Sequence, residues 1–241
     1  MATLVKRTRQ TKTPKLPYAG RLETIYHCRV DLLRFLDQRL RFVIYFYDTA
    51  MAPFEDLIDK ICREDPPYDV DPKTGKRDPS AFQFEFSEAD DGCDLVGSAS
   101  LSYLEVVLHR FLERWVLDLG GQYYLKKVAA STKGNWLERY RVFCLNVLQV
   151  DWAKSGVDLR LLEQIVLARN DFHHPDNTVM TSFFFQSEYH AQKYPDSVFR
   201  HQLWNPDSKL RPRLMVTRDK LVEAVHSVRT LCEFLYHARS G

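Results

Sequence analysis

Asp158-Leu159-Arg160-Leu161-Leu162-Glu163-Gln164-Ile165-Val166-Leu167-Ala168-Arg169-Asn170-Asp171-Phe172-His173-His174-Pro175 is the stretch from which the fold can be read. Leu161, Leu162, Ile165, Val166 and Ala168 recur at helical spacing, which makes one apolar face of an α-helix. Asp158 stands where a capping carboxylate opens such a helix. His174-Pro175 closes it, because the residue before a proline is pushed out of the α region.

Other segments repeat the pattern in both directions. Toward the C-terminus, Thr217 stands where it would cap a last helix over 218–238, with Leu221, Val222, Val225, Val228, Leu231, Cys232 and Leu235 facing inward. Toward the N-terminus, Asn135 precedes Trp136, Leu137, Tyr140, Phe143 and Val147, which predicts a short helix over 134–149. Leu95, Val96, Leu101, Leu104, Val107, Leu108, Phe111, Leu112 and Trp115 predict a long helix over about 93–118 that ends at Gly120-Gly121. Leu22 through Tyr47 predict another over 21–49, and Pro53 is suited to the first turn of a following helix over 53–63. The alternation Phe82-Gln83-Phe84-Glu85-Phe86 predicts a short strand. Two more strands are expected at Val179–Phe185 and Arg213–Val216, in and after a Pro- and aromatic-punctuated insertion over 176–212. The expected class is mainly α: a helical bundle with loop insertions and a few short strands, formed as one domain over 21–241.

Composition narrows the functional classes. The chain has 241 residues, 45% hydrophobic and 27% charged, with a net charge of +2, which is ordinary for a globular domain and allows a substantial core. Basic charge is concentrated in residues 1–20, where Lys6, Arg7, Arg9, Lys12 and Lys15 occur without an acid. Such a tail is expected to be disordered, or to act as an arm that attracts phosphate. The five cysteines are odd in number, widely spaced and without a CxxC pair, which fits a reducing compartment and not a disulfide framework. No apolar run is long enough to cross a bilayer and no leader is visible, so a cytoplasmic protein without a membrane partner is expected. Sequence spacing shows no P-loop, dinucleotide-binding glycines, nucleophile elbow or zinc-ligand set, so neither a cofactor nor a metal is expected.

The chemistry is concentrated at Arg169, Asn170, His173 and His174. A guanidinium is a permanent cation whose fork fits phosphate oxygens, and an imidazole moves protons near neutral pH. Together they suffice for attack of an RNA 2′-hydroxyl on the adjacent phosphate, with the imidazole as acid or base and the guanidinium stabilising the developing charge. The plainer reading makes Arg169 and Asn170 capping groups and the imidazoles structural. Helix geometry sets Arg169 and His173 on one face and places Arg169 and His174 about 140° apart. Glu105, on the second long helix, is a candidate for fixing the Arg169 rotamer, although a solvated surface position is the plainer reading for it.

The pattern Arg169-Asn170-x3-His174 resembles the signature of the HEPN superfamily of helical ribonucleases and toxins. The context is similar too: an aromatic helix with Trp136 near its start precedes the signature, and a closing helix introduced by Val216-Thr217 follows. The resemblance covers the architecture of residues 21–240, with a sharp motif only over 169–174. It implies a metal-independent endoribonuclease that leaves a 2′,3′-cyclic phosphate. It further implies a homodimer with Arg169, Asn170 and His174 of both copies in one composite cleft, acting in antiviral defence or beside an antitoxin. The resemblance favours His174 as the acid/base where helix geometry favours His173, and Pro175 offers a way for His174 to swing out of helical dihedrals. Asp176 stands where family members modified by a nucleotidyltransferase carry a tyrosine. The alternative is a non-catalytic helical dimerisation or RNA-binding subunit of a larger complex.

Overall fold

A computed structural model describes residues 26–174, 185–201 and 211–238, with side chains from residue 32 onward except at 79. The basic tail, all of the expected strand Val179–Phe185 except Phe185, and the insertion aromatics Phe183, Phe184 and Trp204 lie outside the described residues. Among those described, seven α-helices form the chain: α1 Tyr26–Arg63, α2 Gln83–Asp118, α3 Gln122–Ser131, α4 Trp136–Phe143, α5 Leu159–His173, α6 Glu188–Lys193 and α7 Arg218–His237. The mainly α class is as the sequence predicts.

Helices α1, α2, α5 and α7 pack about one core, in which Leu40, Leu104, Leu108, Leu112, Leu162, Ile165, Leu221 and Leu231 are fully enclosed. Phe42 meets Tyr103 while Phe54 lies over Gly92, so α1 and α2 run antiparallel. Asp48 pairs with Arg218 at 2.8 Å and Asp37 with Arg229 at 2.9 Å, which sets α7 antiparallel to α1 in the same way. The peptide leading into α7 is held from two sides. Tyr47 Oη donates to Val216 O at 3.0 Å, and Gly97 of α2 lies so close that a Cβ there would sit 3.0 Å from Val216 Cβ and 3.2 Å from its carbonyl oxygen.

The caps follow the side-chain chemistry. Asn135, Asp158 and Thr217 each accept a hydrogen bond from a backbone N–H in the first turn of α4, α5 and α7, satisfying donors that helix geometry leaves without partners. α2 ends at Gly120, whose φ of +64° is a left-handed conformation that glycine adopts without a Cβ penalty.

Three expectations are corrected. Phe82, Phe84 and Phe86 are not a strand: a 3₁₀ turn at Pro79–Phe82 runs directly into α2. Phe82 is buried while Phe84 is 70% exposed, so the three rings do not share a face. Pro53 does not begin a helix but sits inside α1. The lost hydrogen bond is tolerated because Met51 on one side and Phe54 on the other pack into the bundle. The expected strand at Arg213–Val216 reduces to isolated bridges, Phe185 with Arg213 and Arg200 with Leu214. α3 was not foreseen. It buries no residue fully, so its periodic signal is weak. The predicted helix over 134–149 is in two parts, α4 followed by a π-helical turn at Cys144–Leu148.

Cys144 and Cys232 are free thiols within the core, and burial pushes the Cys144 thiol up to about 12. No helix among the described residues is long and apolar enough to cross a membrane.

Candidate functional site

α5 carries its apolar face into the bundle and its chemistry at its C-terminal end. Leu161 through Ala168 are buried except for the partly exposed Glu163, whereas Arg169 and Asn170 are half-buried and His173 and His174 are exposed. His174 N donates to Asn170 O at 2.8 Å, and its own dihedrals, φ −129° and ψ 60°, have left the helix. The helix thus ends where Pro175 requires. His173 is its last residue and His174 is turned away from the helical path.

Glu105 is not a solvated surface residue. It is 4% exposed, in the middle of α2. Its Oε1 accepts from Trp136 Nε1 at 2.8 Å, and its Oε2 lies 3.9 Å from Arg169 Nε. The guanidinium has a second partner in Asn170, whose Oδ1 accepts from Nη1 at 3.2 Å. Arg169 Nε itself is buried without a hydrogen bond, so Glu105 acts on it as a charge at 3.9 Å. Three elements, α2, α4 and α5, therefore fix one guanidinium. Its side chain remains 29% exposed, facing a pocket of about 320 Å³ shared with His109, Arg110 and Trp136. The His109 ring stacks on Trp136 at 4.3 Å, which closes one wall.

His173 feels this cluster. Partial desolvation, the Arg169 guanidinium and His174 hold its imidazole below the ordinary histidine value, while Glu105 pulls the other way. Among the described residues neither imidazole is hydrogen-bonded to the guanidinium. The structure brings Arg169, Asn170 and Glu105 into direct contact, and sets His173 and His174 at the open end of the same turn.

Two features of the site were not foreseen. His109 and Glu113 follow Glu105 at successive i+4 positions, a polar stripe along one face of α2, and that spacing was the available signal. Asp171, inside the motif itself, is buried and pairs with His190 of α6, Oδ2 to Nδ1 at 2.7 Å. Ser197 Oγ stands 3.4 Å from the other ring nitrogen. The trio pins the end of α5 to α6, and the His190 ring, completely buried, is closed to any substrate. No sequence spacing announces a contact between residues 19 apart in chain. Among the described residues no three His, Cys, Asp or Glu side chains converge as a metal would require.

The chain matches no protein-family model, no curated protein and no solved structure.

Proposed function

We propose that the chain is a metal-independent endoribonuclease of HEPN type, acting as a homodimer on RNA in antiviral defence or beside an antitoxin. What carries the reading is the Arg169 guanidinium, held by Glu105 and Asn170 and still partly open to solvent, one helical turn from two exposed imidazoles. In the proposed reaction the RNA 2′-oxygen attacks the adjacent phosphorus and loses its proton to an imidazole. The bond from phosphorus to the 5′-oxygen breaks, a second imidazole protonates that oxygen, and a 2′,3′-cyclic phosphate remains. Arg169 meets the charge that gathers on the non-bridging oxygens, where a preorganised cation lowers the barrier most. His174, released from the helix by Pro175, has the freer approach to the scissile group.

The dimer has separate support. An apolar groove of about 420 Å³ between α1 and α2, lined by Phe35, Leu36, Tyr103 and Phe111, shares Val106 and Arg110 with the site pocket. A second copy packed across this groove with its α5 end inward would complete the proposed composite cleft.

Incubation of the purified chain with structured and unstructured RNA in EDTA tests the proposal. Cleavage should persist in the chelator and fall at least about 100-fold in Arg169→Ala and His174→Ala, the ordinary cost of losing an acid/base group. Cleavage undiminished in both variants, or none by the parent chain, refutes it. Binding without cleavage would instead mark a non-catalytic RNA-binding subunit.

A further inference from the structure

Another cavity, of about 570 Å³, opens beside Asn170, between α4, α5 and α6. That volume is within the range of small-ligand sites, about 300–1,000 Å³. Its walls include Lys133 and Asn135 before α4, Asn170 on α5, and Ser187, Tyr189 and Lys193 on or next to α6.

Three carboxylates also border it, and each is occupied. Glu138 takes Arg141 through both oxygens at 2.7 Å. Glu163 accepts from Lys193 Nζ at 2.5 Å and from Tyr194 Oη. Asp171 pairs with His190. Lys133, by contrast, is exposed and has no acidic partner among the described residues. The cavity therefore presents unspent positive charge at its Lys133 edge. Tyr189 stands in its wall with 60% of its surface exposed, and Lys193 Nζ lies 5.8 Å from that ring. A flat ring face, an open ammonium and amide and hydroxyl groups lining one cavity are complementary to one nucleotide. The base would stack on Tyr189, the phosphate would meet Lys133, and Asn170 and Ser187 would offer hydrogen bonds to the base edge.

We infer that this cavity is a nucleotide subsite that seats one unpaired base of a single-stranded RNA next to the cleavage site. The inference rests on the ribonuclease reading for its substrate. Asn170 borders the cavity and accepts from Arg169, so a nucleotide seated there is one residue from the guanidinium that would hold the scissile phosphate. Stacking requires a free base face, so the subsite selects unpaired RNA over a duplex.

The test uses a fluorescein-labelled, fully 2′-O-methylated RNA oligonucleotide, which cannot be cleaved because its 2′-oxygen carries no proton. Binding is read by fluorescence anisotropy. Tyr189→Ala should weaken binding at least about fivefold, the loss of one base stack, while Tyr189→Phe stays within about twofold. Lys133→Ala should weaken binding and flatten its salt dependence by about one ion. The same strand annealed to its complement should bind more weakly than the single strand. Tyr189→Ala binding as tightly as the parent, Tyr189→Phe losing as much as Tyr189→Ala, or no binding by the parent overturns the subsite. The two readings fail separately. Tyr189-dependent binding with no cleavage of ordinary RNA removes the nuclease and keeps the subsite. Arg169-dependent cleavage with Tyr189-independent binding does the reverse.

Discussion

Replacing His190 by alanine removes the hydrogen-bond partner of a nearly buried carboxylate. Asp171 is 5% exposed and His190 not at all, and the two meet at 2.7 Å. Breaking a buried pair from one side costs about 3–5 kcal/mol, because the remaining charge stays enclosed and uncompensated. The ring also packs edge-on to Tyr194, with centroids 6.3 Å apart, and its removal leaves a void. For a chain of this size each kcal/mol lowers the midpoint by about 2–4 °C, so His190→Ala should melt about 6–20 °C below the parent. Urea unfolding followed by tryptophan fluorescence and by circular dichroism gives the free energy and shows whether the transition stays two-state. The cause is isolated by adding Asp171→Asn, which removes the buried charge. The double variant should be destabilised by less than the two single losses added together. A His190→Ala loss under about 1 kcal/mol, or single losses that simply add, would refute the claim that this pair holds the end of α5.

Two further outcomes follow from the Glu105 cluster. Glu105→Leu should lower stability by about 1–3 kcal/mol, because the half-buried Trp136 Nε1 loses its acceptor, and Glu105→Gln should recover much of it; equal thermal midpoints for parent and Leu variant would contradict the geometry. The His173 imidazole should titrate below the ordinary histidine value by NMR, rise in Arg169→Gln, which removes a repelling cation, and fall further in Glu105→Gln. The depressed folded value means that the unfolded chain takes the proton first. The contribution of His173 to stability is therefore present above the unfolded histidine value and is lost as pH falls through the window between it and the lower folded value. An unshifted titration, or no response to Arg169→Gln, would contradict the cluster.

Much of this fold is legible in the sequence where side chains act locally. Asn135, Asp158 and Thr217 announce their helices because a capping side chain bonds to its own chain two or three residues on. The end of α5 is legible in Pro175 for the same reason. Misreadings occur where distant packing overrides a local signal. Pro53 reads as a boundary, yet the contact of Phe54 with Gly92, far along the chain, keeps α1 continuous. The Phe82 to Phe86 alternation is five residues long, too short to separate a strand from the first turn of a helix. In the site, Arg169 and Asn170, neighbours in sequence, are hydrogen-bonded to one another, and the two imidazoles follow at the exposed end of the same helix. Glu105 was open to two fates, and burial against Trp136 decided it. The Asp171 to His190 pair could not be read at all, because it depends on where α6 comes to rest.

The clamp on Val216 bears on how rigidly the bundle is assembled. Its carbonyl is engaged by the Tyr47 hydroxyl, and its Cβ and carbonyl oxygen lie against Gly97, where there is no side chain to compress. Any axial sliding of α7 must break the hydrogen bond to α1 or force backbone against backbone at α2. The closing helix is thus indexed to a single position along its own axis, like a bolt seated in its notch. The opposite wall of the core cannot drift while α5 presents Arg169 at the surface.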